Sequence, residues 1–497
     1  MGTAVGQEDF EERDYPRFRR RLDECLAVLG QLLQQPGFGT GPPTIGAELE
    51  LFLIDRAGRP CLRNRAISTR AADPRVTVEL NRFNLELNAS PAPLAGRPFG
   101  TLGGELQLLL DRVAGTAACQ AARLALIGIL PTLRVGDFGT DMMTDAPRYR
   151  ALNRGLRQLR QAPFRIRING ADPLDVSSAD VTLEGASASF QVHLRVDPAD
   201  FTRVYNAVQL ATIPALAVSG NSPTFLGHRL WEETRIALFK QAVDDREDGG
   251  PRRRPARTTL GTGWLRGGAL ELFTESVRLH QPLLPVHGRP EPPGGPGGQP
   301  PRLDELRVHQ GTVWRWNRVI YDPSASGHLR IEMRALPSGP TVIDMLANAA
   351  FLIGLSLWVA GQDPQWTYAL PFERVDHGFH RAAQQGLAAH LSWPSWRRDQ
   401  IRTLTASRLV IESLPAAREG LLQAGVVTGE ADALLAVIAG RVASGQTGAA
   451  WQRAALTAAM GHLDPDRALA LTLDRYLACA DTGRPVHTWP PGRIKLR

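Results

Sequence analysis

Four segments of this chain alternate apolar and polar residues with a period of two, the spacing of a strand that buries one side only. In "TIGAELELFLID", Leu49, Leu51 and Leu53 alternate with a set that holds Glu48 and Glu50. In "NRFNLELNAS", Phe83, Leu85 and Leu87 oppose Asn84, Glu86 and Asn88. In "SFQVHLRV", Phe190, Val192 and Leu194 oppose Gln191, His193 and Arg195. In "HLRIEMRAL", Leu329, Ile331 and Met333 oppose Arg330, Glu332 and Arg334. A chain that repeats this pattern must pack one face of an antiparallel sheet and leave the other face polar.

The polar residues are not those of a plain solvated surface. Taken together they are carboxylates, a histidine, amides and arginines, with little Ser, Thr or Lys. Glu48 and Glu50 lie side by side on one face and repel each other. Carboxylate oxygens suit Mg²⁺ or Mn²⁺, a histidine suits Mn²⁺ or a mixed site, and such cations would offset that repulsion. Arginines beside them match phosphate or carboxylate oxygens through paired hydrogen bonds. Carboxylates, cations and arginines on one sheet face describe a phosphoryl-transfer site.

Around these strands the chain reads as α+β. Residues 1–40 carry helical spacing at Leu22, Cys25, Leu26, Leu29 and Leu32. Residues 41–370 mix strands and helices without a βαβ rhythm, with Pro/Gly-rich loops near 249–255 and 287–301. Residues 371–497 are rich in Ala, Leu and Arg, and are expected to be helical and to pack on the preceding part. "TVIDMLANAAFLIGLSLWVAG" is long and apolar but contains Asp344 and Asn348. It reads as a core helix, so no membrane span is expected. "GHRLWEETRIALFKQAVDDR" is expected to be helical, and "VTLEGASASFQVHLRV" to be a pair of strands.

The net charge of +7 comes almost wholly from arginine. The densest run, Arg252 to Arg254, lies in a Gly/Pro stretch and reads as a solvated loop, so no nucleic-acid partner is expected. The four cysteines are widely spaced, which excludes a disulfide scaffold or a C-x-x-C zinc site. The charged N-terminal stretch has no apolar leader, and a cytoplasmic location is expected. No G-x-x-x-x-G-K-[ST], H-E-x-x-H or G-x-S-x-G is present.

The segments "GAELELF", "NLELNASP", "SFQVHLRV", "SGNSPTFLG" with "LWEETR", and "HLRIEMRALPSG" occur in the order found in the glutamate–cysteine ligase family of the second bacterial type. The chain resembles that family, part of the carboxylate–amine ligases, from about Thr44 to the C-terminal helices. The resemblance implies a glutamine-synthetase-like antiparallel sheet forming a concave active site, flanked by helices. It implies an ATP-dependent ligase that phosphorylates a carboxylate, that of glutamate, and passes the acyl group to an amine, that of cysteine, on the route to glutathione. Family metal ligands fall on Glu48, Glu50, Glu86, His193 and Glu332, for Mg²⁺ or Mn²⁺. Arg334 matches the arginine that stabilises the transferring phosphoryl group, beside Glu332. Arg148 and Tyr149 match a region near the amino-acid substrate, and Asn221 and Arg235 match positions near substrate or nucleotide. Two alternatives stay open: a ligase of the same fold for another acid and amine, and a non-catalytic binding protein. On the ligase reading, Glu332→Ala is expected to be inactive yet folded, as a polar sheet face contributes little to the core.

Overall fold

The computed structural model describes residues 6–246, 254–288, 299–362, 364–395 and 400–491. The alternating segments form one seven-stranded sheet: β1 (Thr44–Ile54), β2 (Val76–Val78), β3 (Asn84–Pro93), β4 (Arg123–Ala125), β5 (Phe190–Val196), β6 (Asn317–Asp322) and β7 (His328–Met333). The order is β6–β7–β5–β1–β3–β2, with β4 paired to the end of β1, and every pair is antiparallel. The sheet curls into a half-barrel. Leu49, Leu51, Leu85, Leu87, Phe190, Val192, Leu194, Leu329, Ile331 and Met333 are all buried. Each side chain of this size adds about 1.5–3 kcal/mol when fully buried, so the alternation is strongly enforced.

Helices that support the sheet and its core include α1 (Asp14–Gln34), α2 (Pro98–Ala118), α3 (Pro147–Arg160), α4 (Phe201–Ser219), α5 (Val342–Ala360), α6 (Ala406–Gln423), α7 (Thr428–Ser444) and α8 (Pro465–Ala480). α2 packs on β1 and β3, while α4 and α5 cover the apolar side of the other half of the sheet. α5 is the long apolar segment. It is long and apolar enough to cross a membrane, but most of it lies buried against α4, α6 and α7, the environment of a core helix. Helices on both sides of residue 370 therefore share one apolar core.

The α5–α6 crossing is made by glycines. A Cβ on Gly420 would lie 2.0 Å from the Gly354 carbonyl oxygen, and one on Gly354 would lie 2.3 Å from that of Ala417. Gly420→Ala must push the helices apart and is expected to cost about 1–3 kcal/mol. A lowered urea midpoint at unchanged m-value would report it.

Three expectations need correction. The C-terminal part is not helical throughout, for His390–Pro394 and Ile401–Thr405 pair as antiparallel strands. The second of these, "IRTLT", is β-branched and alternating, which outweighs the surrounding helical composition. "GHRLWEETRIALFKQAVDDR" is helical only over Arg235–Ala242, because its start closes a hairpin between Thr224–Phe225 and His228–Arg229. Leu226 and Gly227 turn that hairpin with φ of 50° and 81°, the left-handed pair a two-residue turn demands. The segment "VTLEGASASFQVHLRV" holds one strand, preceded by a 3₁₀ turn at Thr182–Ala186. Most of each expected Pro/Gly-rich loop, 247–253 and 289–298, lies outside the described residues.

Candidate active site

Register brings the polar faces together. Glu50 pairs with Glu86 across β1 and β3, and Glu48 lies between Asn88 and Gln191. On the other side His193 pairs with Glu332, and Glu332 with Arg318. Directly opposed residues share a face, so strands far apart in sequence set their side chains into one concave surface.

Glu48, His193 and Glu332 each offer a ligand atom, and these atoms lie within 4.8 Å of one another. His193 Nε2 is 3.2 Å from Glu48 Oε1. Nδ1 accepts a hydrogen bond from Arg330 Nε–H at 3.2 Å. Two carboxylates and an imidazole nitrogen this close together fit a divalent cation.

The remaining carboxylates are held by donors. Glu50 accepts from Ser189 N–H at 2.6 Å and from Gln191 Nε2 at 2.9 Å. Glu86 accepts from Asn88 Nδ2 at 2.9 Å and Thr77 Oγ1 at 3.1 Å. Glu332, 1% exposed, accepts from Arg318 Nε at 2.5 Å and Nη2 at 3.0 Å, and from Arg334 Nη1 at 3.0 Å. Arg334 Nη1 also donates to Gln191 Oε1 at 2.6 Å, so one glutamine amide links Arg334 to Glu50.

These groups line a cavity of about 410 Å³, within the range of small-molecule sites. Arg148 and Tyr149, at the start of α3, line it too, and Tyr149 donates its hydroxyl to Val78 O at 2.9 Å. A larger and more open groove, about 1900 Å³, lies on the other side of α3 and contains none of the sheet carboxylates. The smaller cavity is the one with convergent chemistry. Asn221 and Arg235 do not reach it. Asn221 is fully buried and donates to Ser338 O and the Tyr476 hydroxyl, both at 2.8 Å. Arg235 pairs with Glu233 and donates to the Ala335 and Arg334 carbonyls. Both fix the backbone that carries Arg334 and do not line the cavity.

Glu79, Glu184 and Arg318 are among the cavity residues outside the predicted set. Arg318 sits on β6, where "NRVIYD" alternates weakly and its polar positions include Ile320. Glu184 rides on the 3₁₀ turn, which leaves no periodic signal.

The electrostatics separate the acids. Burial raises Glu332, but the Arg318 and Arg334 guanidiniums win and hold it at about 2; Glu48 too is lowered well below the usual range against its burial, with Arg334 among the causes. Burial lifts Glu86 to about 7, helped by the Glu48 charge, and lifts Glu184 to about 8, helped by Glu50. Burial also raises Glu50 and Glu79. Carboxyls with raised values keep protons that the unfolded chain has lost, so their contribution to stability falls as pH rises above 4.5 toward their folded values. Glu48 and Glu332 contribute in the opposite sense, and that stability is lost only as pH drops below 4.5. His280 and His309, held by burial at about 2 and about 4, raise stability as pH climbs to 6.5 and level off above it. The site carboxyls are thus read best between about pH 7 and about pH 8.5, where the metal-free melting temperature is expected to fall. Mg²⁺ or Mn²⁺ should reverse the fall, and by more at the higher pH, because a cation prefers the deprotonated acids. A profile unmoved by either cation would count against this cluster as their site.

A search of curated protein sequences returns no match. Among solved structures, glutamate–cysteine ligase from Francisella tularensis in complex with AMP aligns with a TM-score of 0.54 at 12% identity, over 88% of this chain and 90% of that one. A bifunctional glutathione synthetase from Pasteurella multocida aligns at 0.47 and 12% identity, over 93% of this chain and 55% of that one. The complex between the prokaryotic ubiquitin-like protein Pup and its ligase PafA aligns at 0.40 and 11% identity, over 86% of this chain and 71% of that one. The curled antiparallel half-barrel is the fold of that Francisella ligase. The model of glutamate–cysteine ligase family 2 matches residues 44–469, and the chain belongs to that family.

Proposed function

We propose that this protein is an ATP-dependent glutamate–cysteine ligase. It transfers the γ-phosphoryl group of ATP to the γ-carboxylate of glutamate, then passes the acyl group to the amine of cysteine to form γ-glutamylcysteine. The observation that carries this reading is the junction of Glu48, His193 and Glu332 with the Arg318–Glu332–Arg334 array on one concave face. The AMP held by the structural neighbour supports ATP as the phosphoryl donor.

Glu48, Glu50, Glu86, His193 and Glu332 would hold Mg²⁺ or Mn²⁺, which when bound would neutralise phosphate charge. Arg334 spends Nη1 on Glu332 and Gln191, and its remaining N–H groups would bind the phosphoryl oxygens. Arg148 and Tyr149, which line the cavity from α3, would flank the amino-acid substrate. Catalysis here is positioning and charge stabilisation, with no covalent intermediate on the protein.

The test is phosphate release from ATP with Mg²⁺ and glutamate, with each candidate amine set against a no-amine control. Release that rises with cysteine, and γ-glutamylcysteine by mass spectrometry, are expected. Release with a different amine only would keep the chemistry and change the acceptor. No release with any acid–amine pair would turn the reading to a binding protein.

A further inference from the structure

Among the described residues, one carboxylate of the cavity has no hydrogen-bond or ion-pair partner. Glu48 and Glu332 converge on His193, Glu50 and Glu86 are held by donors from neighbouring strands, and Glu79 accepts from Leu80 N–H at 3.2 Å. The Glu184 carboxylate lines the same cavity and accepts no hydrogen bond from any described residue. Its backbone is nonetheless fixed. Thr182 N–H donates to Asp180 Oδ1 at 2.9 Å, the Thr182 carbonyl accepts from Asn81 Nδ2 at 2.8 Å, and the Thr182 hydroxyl accepts from Gly139 N–H at 2.9 Å. Next to Glu184, a Cβ on Gly185 would meet Asn81 Nδ2 at 2.5 Å, so the turn is pressed against its neighbour. A rigid turn thus presents an acid with unspent lone pairs, in the field of Glu50, Arg334 and Arg148.

The ligase chemistry has a matching need. An amino acid arrives as an ammonium ion, which has no lone pair with which to attack an acyl phosphate. We propose that Glu184 receives the acceptor's ammonium group and takes the proton that frees its nitrogen, an assignment that rests on the ligase reading. The nitrogen lone pair then forms the C–N bond, the C–O bond to phosphate breaks, and phosphate leaves with that electron pair. The second nitrogen proton departs with the phosphate as the amide forms.

Hydroxylamine separates this role from others, because it is a neutral nucleophile at pH 7 and needs no base to expose its lone pair. Wild type and Glu184→Gln are compared with ATP, Mg²⁺ and glutamate, once with hydroxylamine and once with cysteine, or with the α-amino acid that wild type uses in its place. Expected is a fall of about 10²-fold or more in amide formation by Glu184→Gln, with hydroxamate formation within about threefold of wild type. Equal loss of both products, as for a cation ligand or a folding defect, overturns the assignment, and so does an unchanged amide rate. Failure of wild type to form hydroxamate overturns the ligase reading itself, and the role of Glu184 with it.

Discussion

Glu332→Gln is expected to lower ATP-dependent phosphate release by about 10³-fold, with the protein still folded. The glutamine keeps the size and one acceptor oxygen for Arg318 or Arg334, but it removes the anion that faces His193 and Glu48. Glu332→Ala should do the same to activity and also unfold more easily. Glu332 is buried between two guanidiniums that are themselves only 15% and 13% exposed, so its removal leaves both without their anion. That is expected to cost on the order of 3 kcal/mol, against the reading that this face adds little to stability. Melting curves with and without Mg²⁺ distinguish the two effects. Glu332→Gln should lose most of the Mg²⁺-induced shift, whereas Glu332→Ala should start lower and lose it as well. A full Mg²⁺ shift in Glu332→Gln would remove Glu332 from the cation site.

The site was legible where its residues obey a strand period, and hidden where they do not. Glu48, Glu86, His193 and Glu332 each sit in a run whose apolar partners are forced inward, so their own direction follows from period two. What the runs could not give is strand order. That β5 lies between β1 and β7 follows from pairings across more than a hundred residues, and it is this order that sets His193 beside Glu48 and Glu332. Glu184 was invisible because a 3₁₀ turn has no such period, and Arg318 because Ile320 interrupts the polar side of β6. Asn221 and Arg235, which a motif resemblance puts near substrate or nucleotide, hydrogen-bond to the backbone behind Arg334, a role that a sequence match cannot tell from direct contact.

Arg441→Ala is expected to cost about 3–5 kcal/mol, more than Glu332→Ala. Arg441 on α7 and Asp344 at the start of α5 are 1% and 0% exposed and pair at 2.7 Å. The guanidinium also donates to Asn348 Oδ1 at 2.5 Å and to the Asp344 carbonyl at 2.9 Å, while Asp344 accepts Val486 N–H at 3.0 Å. The pair therefore joins α5, α7 and the chain beyond α8 at one buried point. Alanine would remove the guanidinium from buried Asp344 and leave it, among the described residues, the hydrogen bonds from Thr341 and Val486. Arg441→Met fills more of the space but leaves the same anion, so it should recover only the packing part of the loss. The double variant Arg441→Met with Asp344→Asn removes the charge as well and should be more stable than Arg441→Met alone. Urea unfolding of the single and double variants measures this directly. Because α5 also covers the sheet that carries the site, a loosened α5 should reach activity through the strands beneath it, while Mg²⁺ binding to the native fraction stays intact.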